Sequence, residues 1–546
     1  MKKIQSKQPA QTALATLEKP KVPSENEKDL MLEGDQSFRE IFNALDVDQT
    51  GFVNLPYLLK RLGEMGIRKD DPRLRNSLGP FLQQDEDIDE VRFDFPSFLK
   101  MVQVGGASSL IRQAIRGEMI IPEFRQFSRD IRHIFERTTN NHSGQVATYI
   151  PQLGRVNPEF FGLSICTVDG QQLGVGDYRQ HFSVQSVCKP ISYCIALEEH
   201  GENKVHEHIG REPSGIGFNG LVLNERGLPH NPMINAGAIM ACSLIKPHFK
   251  MADRFDYVLD IWTRLSGNIP ARFNNAVYLS ERESADRNFA LGYFMREHKA
   301  FPANTDLVQT LEFYFQCCSI ELNCDQLSVV AATLANGGIC PTTGERIFRP
   351  DTVKNCLSLM SSCGMYDFSG EFAFTIGLPA KSGVSGALMV VIPNLMGFAT
   401  YAPRLDQLGN SVRGIEFCRH LVEEFNFHMY DSLTSSSKEK KDPRISRYQS
   451  RIDGVISLCW AASEGDLFQM QSLVARGVDV DAADYDGRTA LHLAASEGHV
   501  KAVRYLLNQR AQVNPLDRWG NTPLADAKRS RHDEVVALLT EFNGVA

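Results

Sequence analysis

The sequence predicts a multidomain chain: a helical N-terminal segment, a large central α/β block and a C-terminal array of short helices. Three observations carry this. The 546 residues exceed one domain at roughly 150 residues each. Apolar residues recur at helical spacing between Leu32 and Val104, where one stretch repeats its shape forty residues on. Beyond residue 450 a pattern recurs with a shift of 33.

Composition narrows the function classes. A content of 42% hydrophobic and 23% charged residues excludes a wholly disordered or collagen-like chain. The 58 basic against 66 acidic side chains give a net charge of −8, so no global basic field draws nucleic acid. None of the twelve cysteines precedes Cys166 and none forms Cys-x-x-Cys, which reads as buried, reduced thiols of an intracellular protein and not as a disulfide or zinc framework. The uncharged run Ser382–Pro403 carries Gly386, Pro393, Asn394 and Gly397, so it reads as two buried strands around a turn and not as a membrane span.

In the N-terminal segment Phe38, Ile41, Phe42 and Leu45 form one helix face. Asp46-Val-Asp48-Gln-Thr50-Gly51 follows, then a second apolar helix from Pro56 through Leu62. Asp94-Phe95-Pro96-Ser97-Phe98-Leu99-Lys100 repeats Asn54-Leu55-Pro56-Tyr57-Leu58-Leu59-Lys60. Residues 32–107 thus resemble a paired EF-hand. A calcium loop needs a carboxylate at its twelfth position, which here is Tyr57. The second loop offers Glu86, Ile88 and Glu90 at ligand positions and Val91 for the turn glycine, so calcium binding is not expected and no metal ligands are assigned.

At the other end, Ala461-Ala462-Ser463-Glu464-Gly465 returns as Ala494-Ala495-Ser496-Glu497-Gly498, and Gly487-Arg-Thr489-Ala-Leu491-His492 as Gly520-Asn-Thr522-Pro-Leu524-Ala525. This period resembles two or three ankyrin repeats over 450–546, which stack because one unit cannot bury its apolar face alone. A polar linker spans 431–449, and residues 1–31 read as a disordered tail. The remaining 108–430 is the one part large enough for a deep pocket.

Ser-x-x-Lys places an amine one helical turn from a hydroxyl, and a desolvated lysine can serve as the base for serine. Five such spacings occur, at Ser97, Ser186, Ser243, Ser435 and Ser437. Ser97 lies in the EF-like helix, and Ser435 and Ser437 in the linker. Proline belongs in a first turn or beyond a last one. Pro190 precedes an apolar run, so Ser186 opens a helix and its backbone N–H is left to join an oxyanion hole at the positive end of the helix dipole. Ser243, ahead of Pro247, sits in a last turn. Ser186 is therefore the candidate nucleophile and Lys189 its base. Downstream, Lys381-Ser382-Gly383 is the sole Lys-[Ser/Thr]-Gly, in the order found in penicillin-recognising serine enzymes, where the strand edge supplies a second oxyanion donor.

Seven motifs keep their order: Tyr149-Ile150-Pro151-Gln152-Leu153, Gln185-Ser186-Val187-Cys188-Lys189-Pro190, the run Pro229 to Ile239, Glu281-Arg282-Glu283-Ser284-Ala285-Asp286-Arg287-Asn288, Tyr314 to Ser319, Gly364-Met365-Tyr366-Asp367 and Lys381 to Gly386. With them the central block resembles a serine-dependent glutaminase of the β-lactamase-like fold, and the flanking segments resemble the animal phosphate-activated glutaminases of kidney and liver type. The resemblance implies hydrolysis of L-glutamine through a γ-glutamyl ester on Ser186, with Lys189 as base and the N–H groups of Ser186 and Val384 as oxyanion donors. By the same resemblance Tyr314 and Tyr366 relay protons and touch substrate. Glu281 binds the α-ammonium, Tyr149, Asn235 and Asn288 hold the α-carboxylate, and Gln185 lines the pocket.

The resemblance also implies no cofactor, inorganic phosphate as an activator, a homotetramer, a protein partner for the ankyrin repeats and a mitochondrial location. The first thirty residues, without arginine, make a poor presequence and keep the cytosol as an alternative. One segment departs from the family. Where an arginine and a lysine linked to phosphate activation are expected, the chain reads Ile216-Gly217-Phe218-Asn219-Gly220-Leu221, so altered activation is expected. Two other readings compete: a penicillin-type hydrolase, which leaves Glu281 and the ankyrin segment unexplained, and a non-catalytic scaffold, which leaves the intact nucleophile, base and oxyanion strand unexplained.

Overall fold

A computed structural model describes residues 38–82, 88–104, 107–215, 220–433, 440–444 and 451–546. The tail at 1–31, Glu86, Ser435, Ser437 and the segment Ile216 to Asn219 lie outside the described residues. The chain forms two compact units, one from 1–122 with 445–546 and one from 123–444.

The first unit joins the two ends of the sequence. Phe38, Ile41, Phe42 and Leu45 are all buried on a helix over 38–45. The repeated Asn/Asp-x-Pro shape is a helix start: Asn54 accepts the Tyr57 N–H at 2.8 Å and Asp94 that of Ser97 at 3.0 Å, with proline in the first turn where no N–H is needed. Helices Leu55–Glu64 and Phe95–Gln103 follow, and the strands β1 (Val53–Asn54) and β2 (Arg92–Phe93) pair antiparallel ahead of them. Asp46, which would open a calcium loop, spends its carboxylate on the N–H groups of Thr50 and Gly51.

Three helix pairs make up the C-terminal array, at Arg451–Ser463 with Leu467–Ala475, Ala490–Ser496 with Val500–Asn508, and Pro523–Arg529 with Asp533–Glu541. Their 33-residue period has a physical repeat. His499 bonds the Ser463 carbonyl at 2.8 Å and His532 that of Ser496 at 3.0 Å, each ring packed on a glycine with positive φ, Gly465 or Gly498, where a Cβ would strike it. Within this unit the first pair packs on the EF-hand-like helices. The Tyr57 hydroxyl donates to Gln471 Oε1 at 2.7 Å, Arg61 lies over the Phe468 ring, and Ala475 joins the N-terminal core. The residue standing where a calcium loop needs its carboxylate thus serves as a contact to the ankyrin array.

The second unit is a five-stranded antiparallel sheet with helices packed on it. In chain order its strands are β3 (Gly162–Thr167), β4 (Gln172–Gly176), the short β5 (Phe182–Ser183), β6 (Arg272–Phe273) and β7 (Ile320–Leu322), then β8 (Ala380–Ser382), β9 (Ala387–Ile392) and β10 (Met396–Tyr401). The large sheet runs β4-β3-β10-β9-β8, and β5, β7 and β6 form a small second sheet. The uncharged run is thus β9 and β10 around a turn, every residue of both strands buried. Helix Cys324–Ala335 lies on β10 so closely that a Cβ on Gly397 would come within 2.2 Å of the Ala332 nitrogen. A helical layer of Cys188–Val205, Asn235–Leu244, Leu307–Cys318 and Pro350–Cys363 packs around one apolar core, and β8, at the sheet's edge, faces it.

All twelve cysteines are free and buried. Among the described residues no helix is long and apolar enough to cross a membrane.

Candidate active site

Ser186 stands in a 3-10 turn, Gln185–Val187, and the α-helix begins at Cys188, two residues later than a nucleophile that opens the helix. The reason is local. Gln185 adopts φ 49°, which swings the chain from β5 into a tight turn before α geometry starts. The turn's bonds run from Val187 N–H to Val184 O and from Cys188 N–H to Gln185 O, so the ladder does not use the Ser186 N–H. The feature the argument needed, an N–H left over beside the nucleophile, is retained.

Lys189 points back at the serine. Its Nζ donates to Ser186 Oγ at 2.7 Å and to Asn235 Oδ1 at 2.8 Å. The side chain is 1% exposed, and this burial pushes its pKa below the usual lysine range, against a smaller pull from the surrounding thiols and Glu281. An amine whose pKa is lowered by burial, 2.7 Å from a hydroxyl, has the geometry of a general base. Ser243 differs in every respect: its hydroxyl donates to Met240 O inside the last turn of Asn235–Leu244, and Lys246 turns to Glu199.

A second group of side chains lies beside the first. Glu281, 8% exposed on helix Asn275–Glu283, accepts the Tyr149 hydroxyl at 2.5 Å, and the same hydroxyl lies 3.3 Å from Gln185 Oε1. Burial raises the Glu281 carboxyl above its ordinary value, opposed by the bonds from Tyr149 and Gln185 and the charge of Lys189. The Tyr149 ring is half exposed while its hydroxyl turns inward. Asn235 is the hub: besides Lys189 it meets the Tyr314 hydroxyl at 3.3 Å and donates to Asn288 Oδ1 at 3.2 Å. Tyr314 therefore reaches the nucleophile through Asn235 and Lys189, whereas the Tyr366 hydroxyl lies directly beside Ser186 and the Val384 N–H. All ten residues singled out from the sequence thus gather in one place.

A cavity of about 520 Å³ opens beside them, lined by Asn231, Ile234, Cys363, Tyr366 and Asp367 and bordered by Pro213 to Gly215. Tyrosine hydroxyls, a buried carboxylate and amide side chains can recognise a small zwitterion, and the serine–lysine pair can open an amide in it.

Comparison with known proteins decides the class. The glutaminase family's sequence pattern matches residues 144–430, ankyrin repeats (three copies) match 458–545 and an EF-hand domain matches 39–122. A protein described as putative glutaminase 3 from Caenorhabditis elegans is 45% identical over 459 residues, covering 82% of this chain and 78% of that protein. The chain belongs to the glutaminase family. The liver isoform of glutaminase from Rattus norvegicus, described as mitochondrial, is 46% identical over 426 residues, 78% of this chain and 70% of its own length. A solved structure described as a probable glutaminase overlays with a TM-score of 0.53 at 31% identity, over 56% of this chain and 97% of that one. This enzyme hydrolyses L-glutamine to L-glutamate and ammonia, and the scaffold reading is set aside.

Lys381 belongs to a sequence motif that by itself assigns the side chain no role. The side chain is fully buried, with Nζ on the carbonyls of Gly364 and Ser382. Its signal was the single occurrence of Lys-[Ser/Thr]-Gly in the chain.

Proposed function

We propose that this glutaminase works through a serine ester held between the two groups of residues. Ser186 Oγ attacks the side-chain amide carbon of glutamine while Lys189 Nζ takes its proton. The N–H groups of Ser186 and Val384 hold the oxyanion, an interaction of the kind worth about 3 kcal/mol. The tetrahedral species collapses, the C–N bond breaks, and the proton on Lys189 passes to the leaving amine with Tyr366 beside it, releasing ammonia. Water then attacks the ester while Lys189 again accepts the proton; the bond from the acyl carbon to Ser186 Oγ breaks, Lys189 returns the proton to Oγ, and glutamate departs. Glu281 faces the α-ammonium, and Tyr149, Asn235 and Asn288 face the α-carboxylate.

The observation supporting this best is the 2.7 Å contact of the buried Lys189 amine with Ser186. Ammonia release from glutamine by the wild type and by Ser186→Ala tests it, with asparagine as control substrate. The variant is expected to lose at least about 10³-fold in kcat; activity within tenfold of wild type would remove the serine from the mechanism.

Family likeness further supports a homotetramer in mitochondria, activated by inorganic phosphate and using no cofactor. Gly217 and Gly220 stand where basic residues are expected, which leaves an activating anion fewer charge-assisted donors. The rise of activity with phosphate is expected to be shallower than in a relative carrying arginine and lysine there. An equally steep rise contradicts this.

A further inference from the structure

Lys381 carries a buried amine that the reaction above leaves unused. It lies on β8, the edge strand, with no carboxylate within ion-pair distance among the described residues. Burial lowers its pKa, and the nearby Lys189 amine adds to that. An amine in such a place is costly and is retained where it meets specific acceptors.

Its acceptors are informative. Nζ donates to Gly364 O at 2.9 Å and to Ser382 O at 2.8 Å, and it lies 4.5 Å from the centre of the Tyr366 ring. Gly364 is two residues before Tyr366, and Ser382 is two before Val384. The Gly364 carbonyl also takes the Ser382 N–H at 3.2 Å, and Gly364 is packed so tightly that a Cβ there would sit 1.8 Å from Ala380 O. Tyr366 itself has φ 53°, a conformation an aromatic residue holds only when its surroundings enforce it. Ser369 supplies part of that enforcement by accepting the Met365 N–H and donating to Tyr366 O. Lys381 supplies the link to the oxyanion strand.

We infer that Lys381 is a positioning residue that ties the Tyr366 turn to the strand leading to Val384, so that the tyrosine hydroxyl and the Val384 N–H reach the Ser186 hydroxyl in register. Both protonation states of the amine offer the two N–H donors required. The inference rests on the serine mechanism proposed above, and it adds the group that holds two of its parts together. A lysine acting through Tyr366 and Val384 affects the reacting atoms and leaves the Glu281 and Asn288 end of the pocket alone. Its loss therefore lowers kcat and spares KM.

The test is a double-mutant cycle on the full chain, with Lys381→Met and Tyr366→Phe made singly and together and each variant checked by circular dichroism. Lys381→Met is expected to lower kcat about 100-fold with KM for glutamine within threefold of wild type, comparable to loss of one oxyanion donor. In the Tyr366→Phe background the same change is expected to cost less than tenfold more. Lys381→Gln, which keeps an N–H donor, is expected to recover part of kcat, and it carries the cycle if Lys381→Met does not fold. An equal loss in both backgrounds, a KM effect equal to the kcat effect, or a wild-type kcat overturns the inference. Ser186→Ala separates the two failures: an active Ser186→Ala removes the serine mechanism, whereas an inactive one beside an unimpaired Lys381→Met removes only the role of Lys381.

Discussion

Lys189→Met is expected to abolish glutamine hydrolysis and to raise thermal stability. The loss follows from the base: without the amine the Ser186 proton has no acceptor within 2.7 Å, and kcat falls by at least about 10³-fold. The gain follows from linkage. The folded pKa of Lys189 is lowered by burial, so between that value and the unfolded value of 10.5 the unfolded chain binds more protons. Folding is then penalised at neutral pH, and the penalty fades as pH rises toward 10.5. Methionine removes it at every pH, and Asn235 Oδ1 keeps a donor in the Tyr314 hydroxyl. The expected gain is about 1 kcal/mol, read as a higher midpoint in urea, with the pH dependence of stability flattened on the alkaline side. In the wild type the same titration appears in catalysis: kcat/KM rises with pH as Lys189 loses its proton, through a range below that of ordinary lysine. A variant that is inactive and also less stable would mean that the amine is held charged.

How far the sequence reaches follows from the distance over which each feature acts. Ser186 and Lys189 are three residues apart, and Pro190 fixes which end of a helix they occupy, so both are legible from the sequence alone. The 3-10 turn could not: it depends on the left-handed Gln185, a residue type without special turn preference. The Tyr149–Glu281 bond spans 132 residues, and periodicity carries no information at that range. Only the family resemblance brought those two together. The Tyr57–Gln471 bond spans 414 residues and had no signal at all. Tyr57 reads from sequence merely as a missing calcium ligand, because its positive role depends on a helix from the far end of the chain. Lys381 lies between these cases, its motif legible and its partners on a loop and a strand that only folding brings together.

Glu281→Gln is expected to raise KM for glutamine steeply and to leave the fold more stable without substrate. The carboxylate is the single buried anion proposed to face the α-ammonium, and removing one member of a buried charge pair costs about 2–5 kcal/mol, hence a fall in kcat/KM of roughly 30- to 5,000-fold. The sign of the stability change is the reverse of the usual carboxylate case. Burial raises the folded pKa above the unfolded 4.5, so the native state binds the proton more tightly. Stability from this group is complete below pH 4.5 and declines as pH climbs through the folded value. Above the raised folded pKa the unliganded enzyme therefore carries a desolvated charge that substrate neutralises, and glutamine should there raise the melting temperature of the wild type more than that of Glu281→Gln. Affinity carries the mirror image: as pH falls through the raised Glu281 pKa, KM for the wild type increases, and in the glutamine variant this acid limb disappears. An analogue lacking the α-amine discriminates further. Wild type is expected to reject it and Glu281→Gln to treat it much like glutamine; equal discrimination by both proteins would place the ammonium against some other group.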